Sequence, residues 1–198
     1  MRHVAGALVA IASLAVPAHA QDARSYPSVL TYRTVKVADG VYAFITPEER
    51  TGFQSGNSIA IVGDDGVLVF DTGNIPGMTR RQIAEIRRLT NKPVRYIVNS
   101  HWHPDHWSGN EVYADAFPGL EIIASARTKV FMENVAAAWP RKFEEELRRR
   151  EAALPKEHPP DDEEDLRDYR SFVDEAKRLR RVYPTMTYEE TLTLVHGG

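Results

Sequence analysis

The chain has 198 residues, a formal net charge of -3 and no cysteine. That length suits one domain with a real core, and no internal repeat points to an array. The absence of cysteine excludes disulfides, thiolate ligands, a thiol nucleophile and a lipid-modified N-terminal cysteine, while interspersed charge without a basic aromatic stripe argues against nucleic acid as a partner.

Residues 1–20, MRHVAGALVAIASLAVPAHA, begin with Arg2, continue as an apolar run and end in Ala18-His19-Ala20, the pattern of a secretory signal peptide cleaved before Gln21. The apolar run is shorter than the ~20 residues a membrane span needs. No later stretch is long and apolar enough to cross a bilayer. The mature protein, residues 21–198, is therefore expected to be periplasmic or secreted, with no membrane attachment after cleavage.

TYRTVKV and VYAFITP alternate apolar and polar residues around Ala38-Asp39-Gly40 and read as a β-hairpin. Glu48 to Asn57 reads as a loop carrying Gly52, Phe53 and Gly56. Phe53 is expected either to tuck into the core or to close over an apolar substrate. Ser58 to Val62 and Val67 to Phe70 form a second hairpin about Asp64-Asp65-Gly66, and their near-continuous apolar character implies a sheet covered on both sides. Thr79 and Gln82 fit a capping box opening a helix with Ile83, Ile86 and Leu89 inward, ended by Lys92-Pro93.

Val94 to Val98 is the next strand, and from its C-terminal end, where open α/β sheets carry their sites, issues the stretch HWHPDHWSGN. Side chains two apart in an extended segment share a side, so His101 and His103 can hold one cation. Pro104 turns the chain, which lets Asp105 and His106 face a second point. Neutral imidazoles suit zinc, and an added carboxylate keeps iron or manganese compatible.

Ser108 and Glu111 repeat the capping-box pattern before a further helix. Glu121 to Ala124 is a short strand. Ser125 then caps a helix running towards Trp139, with Val130, Phe131, Asn134 and Val135 inward. Over 141–154, Glu144, Glu145 and Glu146 each precede an arginine by four residues, which supports an exposed helix. A second helix starts at Pro159-Pro160 and carries Leu166, Tyr169, Phe172, Ala176, Leu179 and Tyr183 as its apolar stripe. Thr191 to Val195 returns to strand character before a hairpin turn at the terminal glycines.

The histidine stretch resembles the H-x-H-x-D-H motif of the metallo-β-lactamase superfamily, matched at His101, His103, Asp105 and His106. The resemblance includes the strand VLVF running into Asp71-Thr72-Gly73, and spans most of residues 35–130. It implies an α/β (α+β) fold of the αββα sandwich type. It also implies two zinc ions, a small-molecule substrate, and helices at about 140–183 as an insertion that either overlies the groove as a lid or packs against the sandwich. Family members carry further ligands downstream, usually within G-x-x-H-T-x-G-D, and this motif is not in the sequence. His158 and His196 do not match it, so the chain is expected to be the N-terminal part of a longer protein.

On this resemblance, Asp105 is expected to hold and orient the attacking water. Asp71 is expected either to bond the histidine loop or to serve only as a turn residue. The activity implied is that of an exported zinc hydrolase opening a cyclic amide or ester. A metal-binding protein without activity and a di-iron redox protein are the alternatives, and the sequence leaves the oligomeric state open.

Overall fold

The computed structural model describes residues 32–46 and 55–196. The leader and its cleavage site, Phe53 and the terminal glycine pair lie outside the described residues. Seven strands form one mixed sheet in sequential order among them. They are β1 (Arg33–Ala38), β2 (Val41–Ile45), β3 (Ser58–Val62), β4 (Val67–Phe70), β5 (Val94–Val98), β6 (Glu121–Ser125) and β7 (Met186–Tyr188). β1 to β4 pair antiparallel, as both expected hairpins require, and β4 to β7 pair parallel. This is the α/β class expected, and of the two sheets of a sandwich the described residues form one.

The parallel half is wound by helices. α1 (Pro76–Leu89) joins β4 to β5, and α2 (Pro104–Trp107) and α3 (Asn110–Ala116) join β5 to β6. α4 (Ala126–Val135), α5 (Trp139–Ala153) and α6 (Pro160–Arg178) separate β6 from β7. Side chains alternate across each strand, and Phe44, Ala60, Val67, Val69 and Ile97 meet Ile83, Ile86 and Tyr113 in the main core. The opposite face is less covered than the apolar run of β3 and β4 suggested: Ile59 and Ile61 are half-buried and Phe70 is exposed. Apolar composition marks a strand fit for burial on both sides, but the cover comes from elsewhere in the chain.

Several boundaries differ from the sequence reading. α1 starts at Pro76, whose fixed φ and missing N–H suit a first helical position, so Thr79 lies inside the helix and caps nothing. Its hydroxyl instead donates to the Thr72 carbonyl at 2.9 Å. Ser108 ends α2 and Gly109 precedes α3, while the Glu111 carboxylate accepts from the Arg180 N–H at 2.7 Å. Ser125 does cap α4, accepting from the Thr128 N–H at 3.1 Å. The inward face of that helix is Thr128 and Met132, continued by Ala136, whereas Val130, Phe131 and Asn134 are exposed. Thr191 to Val195 is not a strand; β7 forms earlier, because Thr185 bonds the backbone of Ile122 and sets Met186 beside Ile123.

α5 and α6 make an antiparallel pair. Of the spaced Glu–Arg pairs within α5, Glu146 and Arg150 close at 3.0 Å, while Glu144 turns to Lys177 of α6 at 3.0 Å. The Arg150 guanidinium lies 4.3 Å from the Tyr169 ring centroid. The pair packs down on the start of α1, where Tyr169, Phe172 and Val173 bury Ile75 and Met78.

Candidate metal centre

The site is built at the C-terminal ends of β4 and β5. Asp71, directly after β4, has φ 59°, a left-handed conformation that an Asp tolerates at a cost of about 1–2 kcal/mol. It aims the carboxylate across to the segment following β5. Asp71 Oδ1 accepts from the Ser100 N–H at 2.7 Å, and Oδ2 accepts from the Ser100 hydroxyl and from His106 Nδ1, each at 2.7 Å. The role expected for Asp71 as an anchor of the histidine loop is what the geometry provides.

These bonds fix ring tautomers. The hydrogen of the Ser100 hydroxyl goes to Asp71, so the 2.9 Å contact between Ser100 Oγ and His101 Nδ1 has the ring donating. His101 and His106 therefore both carry hydrogen on Nδ1, which leaves each Nε2 as the ring nitrogen for a ligand, the arrangement in which metal-ligating imidazoles are held by partners on the other nitrogen. The three imidazoles gather closely, with the His101 centroid 4.7 Å from that of His103 and 4.1 Å from that of His106.

His106 Nε2 lies 3.1 Å from Asp105 Oδ2. Burial pushes the His106 ring towards the neutral form, but hydrogen bonds to Asp105 and Asp71 outweigh it and lift the pKa to about 9. Burial would raise the Asp105 carboxyl; the hydrogen bond from His106 brings it below the usual carboxylate range. His101 is pushed down by burial and by the neighbouring imidazoles His106 and His103. A proton thus sits between His106 and Asp105 where a cation would take its place.

The donor set fits a divalent ion. Zinc bonds of ~2.0–2.2 Å imply a tetrahedral ligand edge of about 3.3–3.6 Å, a few tenths of an ångström beyond the 3.1 Å Nε2 to Oδ2 separation. Among the described residues no three His, Asp or Glu side chains already converge on one point as ligands. The structure thus gathers His101, His103, Asp105 and His106, the ligands expected from the sequence, into one cluster but not into a preformed cage.

Beneath the loop lies a buried polar scaffold that the sequence reading did not single out. Asn110 Nδ2 donates to Asn99 Oδ1 at 2.9 Å, and its Oδ1 accepts from the Thr72 hydroxyl at 3.0 Å. The His106 carbonyl accepts from the Thr72 N–H at 2.9 Å. Two glycines permit the packing: a Cβ on Gly56 would lie 2.6 Å from His106 Cε1, and one on Gly109 would lie 2.2 Å from the Thr72 carbonyl oxygen. His158 and His196 are remote from this cluster in their contacts, bonding Glu163 at 3.0 Å and the Ile61 carbonyl at 3.2 Å.

A mixed α/β sheet whose parallel half gathers three imidazoles and two carboxylates at its strand ends defines a candidate metalloprotein. The family model of the metallo-beta-lactamase superfamily matches residues 51–186, and the chain belongs to that superfamily. A linear primary-alkylsulfatase from a Pseudomonas species is 32% identical over 73 residues, which are 37% of this chain and 13% of the relative. A metallo-beta-lactamase from Pontibacter korlensis is similar in structure, with TM-score 0.48 and 20% identity over 54% of this chain and 49% of that one. One from Hirschia baltica gives TM-score 0.42 and 22% identity over 52% and 47%. The chain thus spans about half the length of these structures and a small part of the alkylsulfatase.

Proposed function

We propose that the protein is an exported, zinc-dependent hydrolase of a small-molecule ester or cyclic amide. The observation that carries this is the holding of His101 and His106 by their Nδ1 atoms through Ser100 and Asp71, with His106 Nε2 beside Asp105. A metal pair bound here would supply a water acidic enough to ionise near neutral pH, together with a Lewis acid for the substrate oxygen.

The chain's own residues have separable tasks. His101 and His103 offer ligands on one side and Asp105 and His106 on the other. Asp71 holds the imidazoles in the ligating tautomer. Asp105, ionised and adjacent to His106, is the acceptor that orients the nucleophilic water. Loading requires the His106 Nε2 proton to leave, so uptake of zinc releases acid.

A sulfate ester is the second reading of the substrate, favoured by the alkylsulfatase relative. The purified chain, loaded with zinc, is assayed with nitrocefin and with a linear alkyl sulfate. Opening of nitrocefin supports the cyclic amide, and sulfate release supports the sulfate ester. Zinc uptake with neither turnover supports a binding role without catalysis. His103→Ala should abolish whichever hydrolysis is found; retained activity removes the metal mechanism, and full activity with zinc alone removes an iron redox role.

A further inference from the structure

His103 differs from its two neighbours in how it is held. His101 and His106 are fixed by hydrogen bonds traceable to Asp71, whereas the His103 side chain makes none among the described residues and lies against the rings of His101 and Trp102. The Trp102 indole lies edge-on to it, centroids 4.4 Å apart and planes at 69°. Trp102 is itself clamped. Phe131 of α4 stacks on it at 5.6 Å and 26°, and Trp139 at the start of α5 stacks at 6.0 Å and 13°. Buried Trp107 locks the base, donating its indole N–H to the Trp102 carbonyl at 2.9 Å and leaning on Trp139 at 5.9 Å.

We infer that Trp102, held by the stacked rings of Phe131 and Trp139, is the positioning residue for the His103 imidazole, so that the helices after β6 serve the site as its back wall. An imidazole without a hydrogen bond can rotate about its side-chain torsions, and a rigid aromatic neighbour is the remaining means of limiting that rotation. As far as His103 is a metal ligand, the inference rests on the proposed function; the ordering of the ring does not.

The test compares Trp139→Ala, Trp139→Phe and Phe143→Ala in the full chain. Phe143 lies on the same helix but packs on Phe172 at 4.8 Å. Imidazole NMR of the metal-free protein reads the His103 ring, and Co(II) titration with its visible absorption reads ligation. Trp139→Ala should move the His103 ring signals towards unstructured values and weaken Co(II) about tenfold or more, as lost support of a ligand does. Trp139→Phe should retain both, and Phe143→Ala should lower the melting temperature while sparing both. Phe131→Leu removes the other stacked ring from an exposed position and should shift the ring signals in the same direction, which serves if Trp139→Ala does not fold. Unmoved His103 signals in the clamp variants, or equal movement in Phe143→Ala, would overturn the inference. If the parent takes up no Co(II), the metal reading fails while the imidazole spectra still decide the clamp.

Discussion

Asp71 combines a left-handed backbone with three accepted hydrogen bonds, and the strain is offset by what those bonds organise. Asp71→Asn keeps the volume but turns half of the acceptor into a donor, so zinc affinity should fall 10- to 100-fold in a chelator competition, the usual consequence of losing a ligand's partner. Gly56→Ala should displace the His106 ring and lower the melting temperature, since the added carbon falls within 2.6 Å of it. A separate carboxylate tests electrostatics away from the site. Asp168 is buried on α6 with Oδ2 lacking a hydrogen-bond partner among the described residues, and burial raises its pKa above the ordinary 3.8. The folded state therefore holds that proton more tightly than the unfolded chain. Its favourable contribution is complete below the ordinary value and is lost as pH rises through the folded one. Asp168→Asn should then melt higher than the parent at neutral pH, and the difference should shrink on acidification through that window.

At the scale of elements, the link between the helical pair and the sheet is the cluster of Tyr169, Phe172 and Val173 on Ile75 and Met78. These last two residues lie at the start of α1, shortly after the Asp71 turn, so the pair is tied by packing to the segment that carries Asp71. Phe172→Ala should cost about 3–5 kcal/mol in chemical denaturation, the range for removing a buried ring. A cost below 1 kcal/mol would mean the helices are loosely attached. Helix existence was legible in α5 and α6 because spaced charges and an initiating proline are local signals: Pro160 starts α6 and Asp161, Asp162 and Glu163 fill its first turn. The inward face of α4 was not legible, since Val130 and Phe131 are as apolar as Met132 and the identity of the packing partner decides which is buried. The two capping boxes at Thr79 and Ser108 misled for a related reason: Thr79 bonds back to the Thr72 carbonyl in the turn after β4, and Ser108 closes α2 rather than opening α3.

For the whole molecule, no helix among the described residues is long and apolar enough to cross a membrane. Export predicts that expression with the native leader yields a mature chain beginning at Gln21, which N-terminal sequencing of the periplasmic or extracellular fraction checks; an intact Met1 start in the cytoplasm would count against it. The sequence alone determined the superfamily, the two hairpins and the ligand candidates His101, His103, Asp105 and His106. All of these rest on spacing within a dozen residues, where chain geometry leaves few choices. Tertiary structure alone decided that Asp71 reaches across from β4 to set the tautomers of His101 and His106, that Asn99, Asn110 and Thr72 form the floor, and that Trp139 backs Trp102. Those contacts join residues some ten to forty positions apart, and their partners are fixed only when β4 and β5 pair in register and the helices close over them.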